Sequence, residues 1–453
     1  MTEKAVPPDS APAPAPASAD RPVAAVPQGR ANRLLHFGRA VGEMAAGAAA
    51  EGLSRLARGE RPQFAQMMLT PANARRLAER LSTLRGAAMK VGQLMSMDGH
   101  GVLPPEFANL LCGLRDRAHT MPSTQLVEVL QTEYGADWHE RFRRFSFEPI
   151  AAASIGQVHR AETADGRVLA LKIQYPGVRA SIDSDLANLA LFARTPGLVP
   201  PGVEMAPLLA RVREQLHRET DYRAEAESMN AYRKALGEQP GLWVPTVHGD
   251  FSTANILATD FADGAPVESL VSAPQAQRDA VALALCRLSV REFFEMRLVQ
   301  TDPNFANYLF DATRQRVVLL DFGATEVVQP QRVEDLREIG RALRADDDPR
   351  LAAAAMAAGF TAAQDPAAQT QGAVQMMRMA GEPLRHAGAY DFGGSDLFSR
   401  AFSQGRAQFF AEGFARTPPA DLLFLQRKFI GTFMLCARLR ARVDLSAVFG
   451  SHL

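Results

Sequence analysis

The sequence predicts an α+β protein of two lobes, a small β-rich lobe followed by a larger helical one, with a helical extension ahead of both. Three observations carry this expectation. At 453 residues the chain exceeds what one hydrophobic core usually supports, so two parts with a ligand-sized cleft between them are expected. The apolar period is helical in the first part of the chain, switches to strand alternation between residues 144 and 175, and is almost wholly helical again beyond Pro266. The switch is punctuated by Ala164-Asp165-Gly166, a turn signal between two alternating runs.

Taken in order, residues 1–30 are an Ala/Pro-rich tail without the basic start and apolar centre of a secretory signal, and are expected to be disordered. Residues 31–118 form the helical extension. Its first stretch, Asn32 to Leu56, is rich in small residues (Gly38, Gly42, Gly47) broken by Arg39, Glu43 and Glu51. It reads as a packed surface helix or as a face resting on a membrane or another helix. Thr70-Pro71 opens a second helix with Leu77, Leu81, Leu84, Met89 and Leu94 as its apolar positions. Residues 119–265 are the β-rich lobe, with strands expected at Arg144–Phe147, Ile155–Ala161, Arg167–Gln174, Trp243–Val247 and Ile256–Thr259 and a helical insert at 181–236. Residues 266–453 are the helical lobe, broken by one hairpin, Tyr308–Phe310 and Val317–Leu320.

Composition excludes several classes. Lysine plus arginine equals aspartate plus glutamate at 50 each, so no overall positive field holds a nucleic-acid backbone. Cys112, Cys286 and Cys436 show no metal-ligand spacing, which fits a reducing compartment and a cytoplasmic location. Charges interrupt every apolar run before the roughly 18 residues a spanning helix needs, so membrane contact is expected to be peripheral at most.

Phosphoryl transfer asks a protein for positioners: a loop over the phosphates, a lysine, an acid that orients it and ligands for metal ions. Ala151-Ala152-Ala153-Ser154 leads into Val158 where a kinase carries its glycine-rich loop, and Lys172 in Leu169-Ala170-Leu171-Lys172 follows 14 residues after Val158. Downstream, Asp302 precedes Asn307 by five residues, and Asp321-Phe322-Gly323 comes 14 residues after Asn307, across the predicted hairpin. That order matches a kinase catalytic loop followed by the magnesium-binding aspartate, so Asp302 is the expected catalytic acid-base and Asn307 and Asp321 the expected Mg2+ ligands. A second candidate, His248-Gly249-Asp250 with Asn255, resembles the catalytic loop of antibiotic phosphotransferases. No strand–turn–strand ending in a metal-binding acid follows it, and it reads as the turn before the strand at the lobe hinge.

These residues resemble the UbiB family of atypical kinases, the AarF-domain proteins that support ubiquinone biosynthesis, in particular its mitochondrial-type branch. Lys90-Val91-Gly92-Gln93 is similar to that family's Lys-x-Gly-Gln motif, Ala151 to Ser154 to its alanine-rich loop, and Glu219-Thr220-Asp221 to its Glu-x-Asp motif. The resemblance spans roughly residues 33 to 445. It implies a protein-kinase-like fold that binds ATP or ADP with Mg2+, with Thr259, Asp260 and Phe261 completing the nucleotide site. It further implies that the extension lies over the substrate face and that Lys90 contacts Glu219, leaving Glu225 to orient Lys172. Six residues on a helix turn about 600°, so Glu219 and Glu225 face different partners, although sequence alone admits the reverse assignment.

Two functions from different classes follow. One is an ATP-dependent kinase or ATPase acting on a small lipid-like molecule or quinone precursor, peripheral to the inner membrane. The other is a catalytically weak nucleotide-sensing scaffold of a quinone-biosynthesis complex. No Ala-Pro-Glu follows Asp-Phe-Gly, which leaves no platform for a protein substrate. The tract from Gln371 to Leu453 carries no motif and reads as core of the helical lobe.

Overall fold

The computed structural model describes residues 120–153, 155–193, 205–411 and 420–453. The tail, the helical extension with Lys90, Gly92 and Gln93, and Ser154 of the alanine loop lie outside the described residues.

The first lobe opens with helix α1 (Ser123–Tyr134) and strand β1 (Phe142–Phe145). The strand begins earlier than the expected Arg144 because Phe142 is the inward residue, packed among Tyr134, Trp138, Phe145 and Phe251. Strands β2 (Ala151–Ala152), β3 (Gly156–Thr163) and β4 (Val168–Gln174) follow, and the β3–β4 turn places Gly166 at φ +90°, a conformation glycine adopts without strain. Helices α2 (Val178–Ala193), α3 (Met205–Glu219) and α4 (Tyr222–Leu236) form the insert. Strand β5 (Leu242–Trp243) is short because Pro245 lacks the N–H a ladder needs. Val247 makes only a lone bridge to Thr259 of β6 (Ile256–Asp260). The antiparallel sheet runs β1-β3-β4-β6, with β2 on β3, and pairs Val158 with Lys172 and Lys172 with Leu257. Leu169, Leu171 and Ile173 on its other face are wholly buried against α1, α2 and α3.

The second lobe is built on a four-stranded sheet in the order β5-β10-β9-β7, in which β7 is Ala265–Pro266, β9 Tyr308–Asp311 and β10 Arg316–Leu319. The expected hairpin is β9–β10, in register Tyr308 to Leu319. A second pairing joins β8 (Leu298–Gln300) to β11 (Thr325–Val327), so the lobe is not interrupted by a single hairpin alone, as the sequence reading had it. Helix α5 (Gln275–Arg291) leads into a π-helical turn at Glu292–Met296, and α6 (Pro330–Ala345), α7 (Asp348–Ala358), α8 (Ala367–Ala380), α9 (Leu397–Ala411) and α10 (Ala420–Arg438) complete the lobe. Cys286 on α5 and Cys436 on α10 are buried free thiols with sulfurs 3.6 Å apart. Among the described residues no helix is long and apolar enough to cross a membrane.

Candidate functional site

Strand alternation decides what faces the cleft. Lys172 and Ala170 share one face of β4, opposite Leu257 and Thr259 of β6, and Val158 lies opposite Lys172 on β3. Val158 and Thr259 therefore border Lys172. Asp260 belongs to the other face, where its carboxylate accepts from Thr246 N and bonds His248 Nε2, each at 2.8 Å. The Asp260 side chain is thereby engaged in supporting the strand. Phe261 closes the ladder through its N–H to Val168 O (2.9 Å), and its ring lies beneath the Arg160 guanidinium.

The alanine loop is a tight hairpin. Ala151 pairs with Val158 and Ala152 with Gln157, and Ala153 N donates to Gly156 O at 2.8 Å. Gly156 admits no side chain, because a Cβ there would stand 2.4 Å from Ile173 O and 3.0 Å from the Tyr222 hydroxyl.

Helix α4 supplies the acid. Asp221 caps it by accepting from Ala224 N (3.1 Å), and Glu225, Met229, Tyr232 and Leu236 are its buried stripe at helical spacing. Lys172 Nζ donates to Glu225 Oε1 and Oε2 at 2.8 and 2.9 Å, stands 3.6 Å from Asp321 Oδ2, and lies over the Tyr222 ring at 5.2 Å. Glu225, not Glu219, is thus the partner of Lys172. Glu219 sits half-buried at the end of α3 and accepts from Gln215 Nε2. Burial drags the Lys172 ammonium down, but Asp321 and then Glu225 outweigh it and hold the group well above its ordinary value. Burial pushes the Glu225 carboxyl up to about 7 against the pull of Lys172.

The other wall is the segment between β8 and β11. Gln300 Nε2 donates to Asp302 O (2.8 Å) and Asp321 O (3.1 Å), tying both loops together. Asn307 Nδ2 donates to Asp302 O (3.3 Å), and Leu320 N donates to Asn307 O (2.9 Å), so the hairpin holds Asn307 beside the Asp321 turn. Asp321 itself adopts φ +55°, with Gly323 N donating to its Oδ1. Phe322 is buried against the Tyr232 ring at 4.8 Å, and the Tyr232 hydroxyl donates to Glu292 Oε1, which also accepts from Gln300 N. Gln300, Tyr232 and Glu292 are not among the site residues the sequence points to. The decoy loop is occupied elsewhere: Asp250 pairs with Arg167 at 2.6 Å and Asn255 Nδ2 donates to Glu133 at 2.7 Å.

Asn307 and Asp321 offer hard oxygen donors, and among the described residues no group of three His, Cys, Asp or Glu forms a complete protein cage. That donor set fits magnesium, which usually takes one or two protein ligands and fills its octahedron with waters and substrate phosphates.

A lysine–glutamate pair at a β-lobe cleft, facing a loop aspartate, an asparagine and an Asp-Phe-Gly turn, defines a protein-kinase-like, nucleotide-binding fold whose sites work with a metal ion. Residues 113–355 match the ABC1 atypical kinase-like domain, and the chain belongs to that family. It is 35% identical to "Atypical kinase COQ8B, mitochondrial" of Rattus norvegicus, over 94% of this chain and 80% of that protein. It is 32% identical to "Atypical kinase COQ8, mitochondrial" of Saccharomyces cerevisiae, over 94% of this chain and 85% of that protein. A solved Mycobacterium tuberculosis protein, in complex with erythromycin, superposes with a TM-score of 0.58 at 26% identity, covering 83% of this chain and 94% of that one. The resemblance to UbiB and AarF-domain kinases is upheld, and the chain is a kinase-type enzyme of that family.

Proposed function

We propose that this chain is an atypical kinase or ATPase that binds Mg–ATP and Mg–ADP and acts in ubiquinone biosynthesis on a small lipid-like molecule rather than a protein. The observation that carries the reading is the buried Lys172–Glu225 pair set 3.6 Å from Asp321. Lys172, kept charged, holds phosphate oxygens. Asn307 and Asp321 would hold magnesium, whose charge would offset that of the transferred phosphoryl. Asp302 takes the proton of an attacking hydroxyl or water as that oxygen bonds to the γ-phosphorus and the bond to the bridging oxygen breaks, leaving ADP. A small acceptor is favoured because the chain runs from Gly323 through β11 straight into α6 at Pro330, with no room for a peptide platform. The quinone assignment rests on the family resemblance and on relatives named as atypical kinases of the COQ8 type. We place the protein in the cytoplasm at the surface of the inner membrane.

The test is phosphate release by the purified protein with magnesium and ATP, with and without detergent-solubilised lipid. Asp302→Asn is expected to lower turnover by about 10² to 10⁴ and to spare nucleotide binding. Loss of activity in Asp250→Asn with none in Asp302→Asn would overturn the choice of loop. Binding without turnover in the parent would favour the nucleotide-sensing scaffold.

A further inference from the structure

Helix α10 lies beyond the matched kinase domain, in the tract that carried no sequence motif, yet it forms the seat of the catalytic loop. Three observations on it converge. Arg427 reaches Asp302 Oδ1 through an Nη2–O contact of 3.2 Å, and both side chains are nearly buried. Lys428, the next residue, makes a fully buried ion pair with Glu292 Oε2 at 2.8 Å, and Oε1 of that carboxylate accepts from Gln300 N, two residues before Asp302. Gly431, one turn on from Arg427, is the contact for Pro303: a Cβ there would stand 2.0 Å from Pro303 Cβ, a distance no side chain tolerates. One face of a single helix therefore touches Asp302, Pro303 and, through Glu292, Gln300.

We propose that Arg427 is the positioning residue of Asp302, held in register by Lys428 and Gly431, so that the C-terminal helix is a working part of the phosphoryl-transfer site. The inference rests on the reading of Asp302 as the proton acceptor. The physical argument is orientation. An aspartate on an irregular loop has two free torsions, and a base must stand within hydrogen-bond reach of the proton it takes. A guanidinium offers directional N–H donors that fix a carboxylate plane as a point charge cannot. Because Lys428 and Glu292 are both removed from water and paired, α10 is costly to shift, and the geometry it imposes is kept through the reaction cycle.

The expected cost of losing Arg427 is about tenfold to 10²-fold in turnover, the scale of a misplaced catalytic group, with little change in nucleotide affinity. The experiment is a double-mutant cycle on phosphate release with magnesium and ATP, using Asp302→Asn, Arg427→Ala and the double variant, with nucleotide binding and melting measured on each. If Arg427 acts through Asp302, adding Arg427→Ala to Asp302→Asn costs nothing further. An additive cost would overturn the proposal, because a residue that merely packs the lobe lowers activity whatever stands at 302. Guanidinium ion in the buffer is expected to restore part of the Arg427→Ala turnover and none of that of Asp302→Asn. Should Arg427→Ala fold poorly, Arg427→Lys and Gly431→Ala carry the same test, both predicted to lower kcat and spare nucleotide KM. Parent-like turnover in Arg427→Ala and Arg427→Lys beside an impaired Asp302→Asn would sink the inference and leave the functional reading standing. Parent-like turnover in Asp302→Asn would remove the reading itself.

Discussion

Replacing Glu225 by glutamine separates its role in the fold from its role in the site. The carboxylate takes Lys172 Nζ on both oxygens, whereas an amide keeps one acceptor and turns an NH2 toward the ammonium. The lost charge-assisted bond is worth about 1.5–3 kcal/mol. Against it, burial opposes ionisation of Glu225 and holds its carboxyl up at about 7 even with Lys172 beside it. Losing the bond and relieving the buried charge act in opposite directions, so the melting temperature of Glu225→Gln is expected to move by only a few degrees. Nucleotide binding has no such compensation. Lys172, left with Asp321 at 3.6 Å, closes on the carboxylate proposed to hold magnesium, and Mg–ATP affinity is expected to fall about 10- to 100-fold. The pH dependence follows with a definite sign. Between about 4.5 and 7 the folded protein keeps a proton on Glu225 that the unfolded chain releases, so this group's contribution to stability declines as pH rises through that window. Affinity for Mg–ATP rises through the same window as the carboxylate forms and takes Lys172, and both trends vanish in Glu225→Gln. Titration calorimetry of Mg–ATP from pH 5 to 8 beside melting curves reads all of this. A variant that loses stability but binds like the parent would show that Glu225 is a packing strut and nothing more.

Two substitutions in the alanine loop separate packing from chemistry. Ala153→Gly frees the residue whose N–H closes the loop on Gly156 O and is expected to raise ATP affinity relative to ADP and to increase autophosphorylation; binding isotherms with identical ATP-to-ADP ratios in parent and variant would make the loop a packing element only. Gly156→Ala drives a methyl against Ile173 O and is expected to lower stability by about 1–3 kcal/mol and nucleotide affinity with it; an unshifted melting curve would refute the close approach.

The parts of the site that were legible in the sequence are those whose signal is local. Lys172 announces itself by strand alternation after a small-residue loop, and Asn307 and Asp321 by standing at the two ends of a short hairpin whose turn fixes their proximity. Strands β8 and β11 were not legible, since three residues apiece have no periodicity of their own and exist only by pairing with each other, Gln300 against Thr325. Glu292, Arg427 and Lys428 were invisible for a related reason. A charge on a helix reads as solvated until tertiary structure supplies the opposite charge, and here the partners are more than a hundred positions away. The face taken by Asp260 was not legible either, because it depends on the register with β4, which pairs Asp260 with Leu169.

Helix α4 binds these elements into one device. Its Tyr222 belongs to the core of the first lobe, whereas Met229, Tyr232 and Leu236 belong to the core of the second. Glu225 and Tyr232 lie seven residues apart, two turns of helix, and so point the same way about 10 Å apart along the axis. The first holds Lys172 of the β-rich lobe; the second holds Phe322 by ring contact and Glu292 by its hydroxyl. A rotation of α4 that withdrew Glu225 from Lys172 would withdraw Tyr232 from the Asp321 turn at the same time, and would leave the Glu292 carboxylate, wholly buried, short of a donor. Lys172 and Asp321 therefore cannot be displaced independently. From Glu292 the same chain of contacts continues through Lys428 into α10 and returns by Arg427 to Asp302. Lys172, Asp321 and Asp302 are thus fixed against one buried carboxylate, which is why an irregular loop between two three-residue strands keeps a defined geometry.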